Sequence, residues 1–360
     1  MESRTRWAAT LLAGAVLAML PLSSAVAAAR SSGGGANPYS PSYGHDYRHG
    51  AVPTIGQLAE MRSYAAAHAG AAGSGASADT LKYQGGLDGI GVTSAAPRVY
   101  LVFWGKQWGN VGTDASGNLT FSHDVDNGAP YIQNLMKGLG TGNETWSGTM
   151  TQYCDGPGVT KGATECSSGE AHVGYPTGGA YAGAWYDDSR EPKRATQAQL
   201  AAEAVKAAAH FGNSTQADNR YVQYVIMSPH GADPDRYKAD GFCAWHDWTG
   251  SADGDIAYTN LPYVMDVGAS CGGDFVNTSG ALDGYSMVEG HEYAETITDQ
   301  LPSSGWVNPS TEEEAADECA WISSGQGAAA DVSTSTGSFA MQSIWSNDTD
   351  ECEISHVTVN

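Results

Sequence analysis

His291, Glu292 and Glu295 carry the most chemistry per residue in this chain. They lie in Ser286–Asp299, a stretch that reads as one helix, with Met287, Val288, Ala294 and Ile297 as its apolar positions and Gly290 allowing a close approach. His291 and Glu295 are four residues apart, so their side chains share one helical face, and Glu292 sits a step round from His291. This is the layout of the zinc-binding H-E-x-x-H helix with Glu in place of the second His. It predicts two metal ligands, His291 and Glu295, with Glu292 as the base that accepts a proton from water. Glu four residues after His is also common on ordinary solvated helices, so the helix alone does not decide the matter.

Two helix ligands leave an ion short of partners, and in catalytic sites the third comes from a later element. Glu314 and Asp317, in Glu314-Ala315-Ala316-Asp317-Glu318-Cys319, are the candidates, with Pro302, Ser303, Ser304 and Gly305 supplying the turn before them. Either carboxylate can ligate while the other orients His291. The alternative is that Glu312–Glu318 is a surface helix start whose acidic residues favour the helix dipole. A His, Glu, Glu, Asp set suits Zn²⁺, and its carboxylates also admit Ca²⁺ or Mn²⁺. The extra negative charge makes any ion a weaker Lewis acid. His246, between Trp245 and Asp247, reads as an oxyanion stabiliser or further ligand, or else as a packed core histidine. His230 has the same two readings. Ser228 and Ser286 lack a G-x-S-x-G turn, which argues against a serine hydrolase.

The elements that must position these groups are legible in part. Pro97–Gly105 is an unbroken β-branched and aromatic run, a buried strand, and Tyr221–Met227 reads as a second central strand. Ala129–Leu139 and Ala195–Phe211 read as helices, the latter capped by Thr196 and ended by Gly212-Asn213. Strand, helix and strand in this order predict a mixed α/β sheet. Met150–Tyr153 reads as a short strand, Val173–Asp188 as loop, and Ser338–Ser346 as a last strand-like element. Residues 30–90 are rich in Gly, Ala and Ser and read as a flexible arm or pro-segment with one short helix over Ile55–Ala67, leaving 91–360 as a single domain.

Residues 1–29 have the pattern of a secretory signal: Arg4 and Arg6, an apolar run from Trp7 to Leu22, then small residues around Ala27 and Ala29. The expectation is a secreted, extracellular protein with no membrane attachment after cleavage. Forty acidic residues against 17 basic give a net charge of −23, which disfavours nucleic acid as partner. Six cysteines behind a signal predict disulfides, with sequence neighbours suggesting Cys154–Cys166, Cys243–Cys271 and Cys319–Cys352. The 10 Trp and 18 Tyr serve either as a carbohydrate platform or as filling for a Gly-rich core.

Several stretches in order resemble the plant EXORDIUM or phosphate-induced protein family and its bacterial secreted relatives. They include the Val99–Gly105 strand, Trp146–Tyr153, Phe242-Cys243-Ala244-Trp245-His246, Tyr258–Cys271 and Asp283-Gly284-Tyr285-Ser286. They continue through His291-Glu292-x-Ala294-Glu295, Thr298-Asp299-x-x-Pro302, Gly305-Trp306, Glu314–Cys319 and Gln342-Ser343-Ile344-Trp345-Ser346. The helix is also similar to that of thermolysin-like proteases. The resemblance implies a secreted, disulfide-bonded protein, associated with the cell wall in plants, in which Glu295 is the usual residue. The whole reading is a zincin-like mixed α/β domain with disulfide-pinned loops. Its expected role is metal-dependent hydrolysis of extracellular protein or peptide. The alternative is a non-catalytic protein that binds cell-wall polysaccharide and carries a structural metal.

Overall fold

The computed structural model describes residues 37–68 and 79–359. The signal segment 1–29 lies outside the described residues, as does part of the arm. Six strands form the main sheet: β1 (His49–Pro53), β2 (Arg98–Trp104), β3 (Tyr181–Asp187), β4 (Val222–Met227), β5 (Phe242–Ser251) and β6 (Gly254–Leu261). Their spatial order is β1, β5, β6, β4, β2, β3. The pairs β3–β2, β2–β4 and β4–β6 are parallel, whereas β6–β5 and β5–β1 are antiparallel. The fold class is therefore mixed α/β, as expected.

The apolar runs of β2 and β4 are unbroken because both sheet faces are covered. Successive side chains point to opposite faces. Val102, Tyr224 and Ile226 pack with Leu200, Ala204, Ala207 and Ala208 of α3 (Gln197–Phe211). Leu101, Phe103, Val225 and Met227 belong to the opposite core, with Ile132, Leu135 and Met136 of α2 (Gly128–Gly138) and with α4 (Asp283–Thr298). Thr196 and Gln199 cap the start of α3, and Gly212 ends it in the left-handed region. Trp108, Trp146, Trp245 and Trp306 are fully buried, with Tyr153, Tyr224, Tyr237, Tyr258, Tyr263, Tyr285 and Tyr293, so these aromatic rings fill the core.

The three disulfides join Cys154 to Cys166, Cys243 to Cys271 and Cys319 to Cys352. No helix among the described residues is long and apolar enough to cross a membrane. Three local expectations are corrected. Thr149–Gln152 is a 3₁₀ turn, not a strand, and its carbonyl and hydroxyl groups bond locally and to the carboxyl-terminal segment. Tyr181–Asp187, read as loop because of its glycines, is the edge strand β3, in parallel register with β2. Ser338–Ser346 breaks into two short strands, Ser338–Met341 and Ile344–Ser346. Of the arm expected over 30–90, residues 49–53 are a strand of the main sheet, and Ile55–His68 is helix α1.

Near the carboxyl ends of β3 and β4, Glu191 is buried and accepts a hydrogen bond from Ser228 Oγ at 2.6 Å. Burial pushes the Glu191 carboxyl up to about 8, and burial beside Asp187 does the same for Glu203. Both groups ionise near 4.5 when unfolded and hold their protons in the fold. Their contribution is full below that value and is lost as pH rises through about 8. Glu191→Gln removes one of these titrations. Thermal melts across this range are therefore expected to show a shallower fall in Tm for the variant than for the parent protein.

Candidate metal centre

All 16 residues of α4 are buried. A helix covered on every side is ordinarily apolar. This one carries Glu289, His291, Glu292 and Glu295 into the interior, each 0% exposed. Its ends are fixed by carboxylates. Asp283 accepts from the backbone N–H groups of Val276 and Asn277, and Asp299 from those of Ser303, Ser304 and Gly305. The turn held by Asp299 brings the chain back so that Glu314 and Asp317 reach the two histidines. The acidic stretch does not form the second helix considered for it: only Asp317–Cys319 is helical, as a single 3₁₀ turn.

The six residues expected at the site converge. His291 Nε2 lies 3.1 Å from Glu295 Oε1 and 3.5 Å from Asp317 Oδ1. His246, contributed by β5, places Nε2 at 3.1 Å from Glu314 Oε2 and Nδ1 at 3.1 Å from Glu292 Oε2 and 3.7 Å from Glu295 Oε2. His291 Nδ1 lies 3.1 Å from Gln342 Oε1. The amide of Gln342 is set by its own Nε2, which donates to the carbonyls of Ala316 and Ser343. Its oxygen therefore faces His291, and His291 Nδ1 must carry the proton. Glu295 Oε1 accepts from the backbone N–H groups of Ala316 and Asp317, which fixes the plane of its carboxylate.

Both histidines are thus anchored through Nδ1 and present Nε2 to carboxylates. His246 Nε2, His291 Nε2, Glu292 Oε1, Glu295 Oε2 and Glu314 Oε2 are buried without a hydrogen-bond partner. So many unpaired donors and acceptors gathered in one buried region is costly unless something binds there. Donor sets close enough to share a cation are His291, Glu295 and Asp317, and His246, Glu295 and Glu314. Burial pushes the carboxyls of Glu292 and Glu314 well above their usual range. Burial disfavours charge on His291, but Glu295 and Asp317 outweigh it and hold its pKa well above the ordinary value. Burial and the positive charge of His291 then push His246 down to about 3.

The other candidates fall elsewhere. His230 is exposed and pairs with Asp266. Ser286 bonds Tyr131 and the Ala340 carbonyl, and Ser228 bonds Glu191, so neither serine bonds a histidine. Two participants were not read as site residues from the sequence. Gln342 is one. Gly50 is the other: it sits in β1 with φ of +50°, and a Cβ there would fall 1.8 Å from Glu295 Oε2 and 2.6 Å from His246 Cε1. The backbone of the amino-terminal strand therefore lies directly on the site. It is held there by Arg48, which donates to Asp235 at 2.7 Å and Asp240 at 2.8 Å and stacks 4.6 Å from the Phe242 ring, and by Trp321 Nε1 donating to the Pro53 carbonyl.

No protein-family model matches this chain, and no curated protein or solved structure matches it either.

Arg48→Ala removes a side-chain anchor of β1 without touching a candidate-site residue. Breaking such a buried pair costs about 3 kcal/mol. Amide hydrogen exchange at residues 49–53 is expected to rise far more than exchange in β2 and β4, and limited proteolysis to begin in the amino-terminal segment.

Proposed function

We propose that this chain is an exported, metal-dependent hydrolase of zincin-like build, in the first place a zinc peptidase for extracellular protein or peptide, held closed by its own amino-terminal strand. The observation that carries the reading is the pair of buried histidines anchored through Nδ1, each with a bare Nε2 facing carboxylates. Free acidic clusters rarely orient imidazoles in this way, whereas metal sites do so as a rule. His291, Glu295 and Asp317 are ligands, Glu314 lies within reach through His246, and Gln342 is the residue that orients His291. A divalent ion held there supplies Lewis acidity toward a substrate carbonyl.

Glu292 is the proton acceptor. One of its oxygens holds His246, and the other faces the site unpaired. His246 then positions Glu292 through Nδ1. The three disulfides fit export, and the family resemblance set out above fits an extracellular role. Water and substrate need β1 to move away, because Glu292, Glu295, His246 and His291 are at most 1% exposed.

That same burial favours a second reading, in which the ion is structural and the protein binds cell-wall polysaccharide or a partner, since structural sites are closed and catalytic ones keep a position open. Elemental analysis of purified protein, followed by peptide hydrolysis by the parent, Arg48→Ala and Arg48→Ala/Glu292→Gln, separates the two. The hydrolase reading expects Arg48→Ala to exceed the parent, and the added Glu292→Gln to lower that rate by about 10²-fold or more with metal content unchanged. Metal present but no hydrolysis in any form would establish the structural role. Protein that binds no metal would sink both.

A further inference from the structure

We propose that the centre is dinuclear, with the Glu295 carboxylate bridging two divalent cations; this rests on the metal-binding reading above and not on its hydrolytic part. Glu295 is the one residue common to both donor sets, and neither set contains both histidines. A single ion therefore takes one histidine and leaves the other bare. The two oxygens of Glu295 serve different histidines: Oε1 lies 3.1 Å from His291 Nε2, and Oε2 lies 3.7 Å from His246 Nδ1. One ion would sit among His291 Nε2, Glu295 Oε1 and Asp317 Oδ1. The other would sit among His246, Glu295 Oε2 and Glu314 Oε2.

The spacing fits. Ligand bonds of about 2.0–2.2 Å to a tetrahedral ion put neighbouring donor atoms roughly 3.3–3.6 Å apart. The distances from His291 Nε2 to Glu295 and Asp317 are 3.1 and 3.5 Å, and that from His246 Nε2 to Glu314 is 3.1 Å. A carboxylate bridging through both oxygens is the arrangement that holds paired ions about 3.5–4 Å apart.

Charge points the same way. Glu292, Glu295 and Glu314 are buried beside two histidines, Asp317 is partly exposed at their edge, and no Lys or Arg forms an ion pair with any of these four carboxylates among the described residues. One divalent ion neutralises half of four ionised carboxylates, and a second completes the balance. An uncompensated buried charge is among the costliest features a fold can carry.

The test uses the full purified chain, freed of metal and titrated with Mn²⁺ alone. Two Mn²⁺ per chain are expected, with a spin-coupled rather than an isolated-ion electron paramagnetic resonance spectrum. His246→Ala and Glu314→Gln, each of which removes a donor from one set only, are each expected to hold one ion and to give the isolated-ion spectrum, with circular dichroism confirming that they fold. A stoichiometry of one in the parent, or an isolated-ion spectrum at saturation, overturns the dinuclear centre while leaving a mononuclear metal site in place. No binding at all overturns both.

Discussion

The structure depends on the burial of a polar helix. Taking a carboxylate out of water without a partner is strongly unfavourable, yet α4 carries Glu289, Glu292 and Glu295 into the core with His291 between them. Everything around it compensates. Backbone N–H groups of Ala316 and Asp317 turn toward Glu295, Gln342 is pinned by two carbonyls so that it can hold His291, and Gln223 bonds Thr259 and Thr296 where the helix crosses the sheet. What these bonds leave unmet is a set of atoms aimed at one another across a small space, and that residue of unsatisfied polarity is the strongest functional statement the fold makes.

The amino-terminal strand belongs to the same logic. A sheet edge next to a charged site would admit water and other strands. β1 covers that edge, and Gly50 brings bare backbone onto Glu295 and His246 where any side chain would collide. The strand thus completes the burial on which the electrostatics of the site depend, and the exposure of these side chains is coupled to the docking of a short segment anchored by Arg48.

How much of this could be read beforehand varied with the kind of signal. The two central strands and α3 were legible because their patterns are local: continuous β-branched residues, alanine periodicity, a cap and a terminating glycine. β3 was missed because its glycines outweighed its period, and its strand state comes from pairing with β2. The β5–β6 hairpin was not read as strands either, since its Trp, His, Asp and Thr residues satisfy no simple pattern until each face has a neighbour. The pairing of the cysteines followed sequence proximity, a weak guide that held because each bridge closes a loop within one region of the fold.

The sequence by itself determined the helix with its His291, Glu292 and Glu295 spacing, the later Glu314 and Asp317, and the disulfide-bonded character of the chain. Those are properties of covalent order and local periodicity. Only the tertiary structure decided that Glu314 goes with His246 and Asp317 with His291, that Glu295 stands between them, and that Gly50 closes the site. Those assignments join residues on different elements, and they follow from how desolvated charges find partners in three dimensions, which no spacing along the chain encodes.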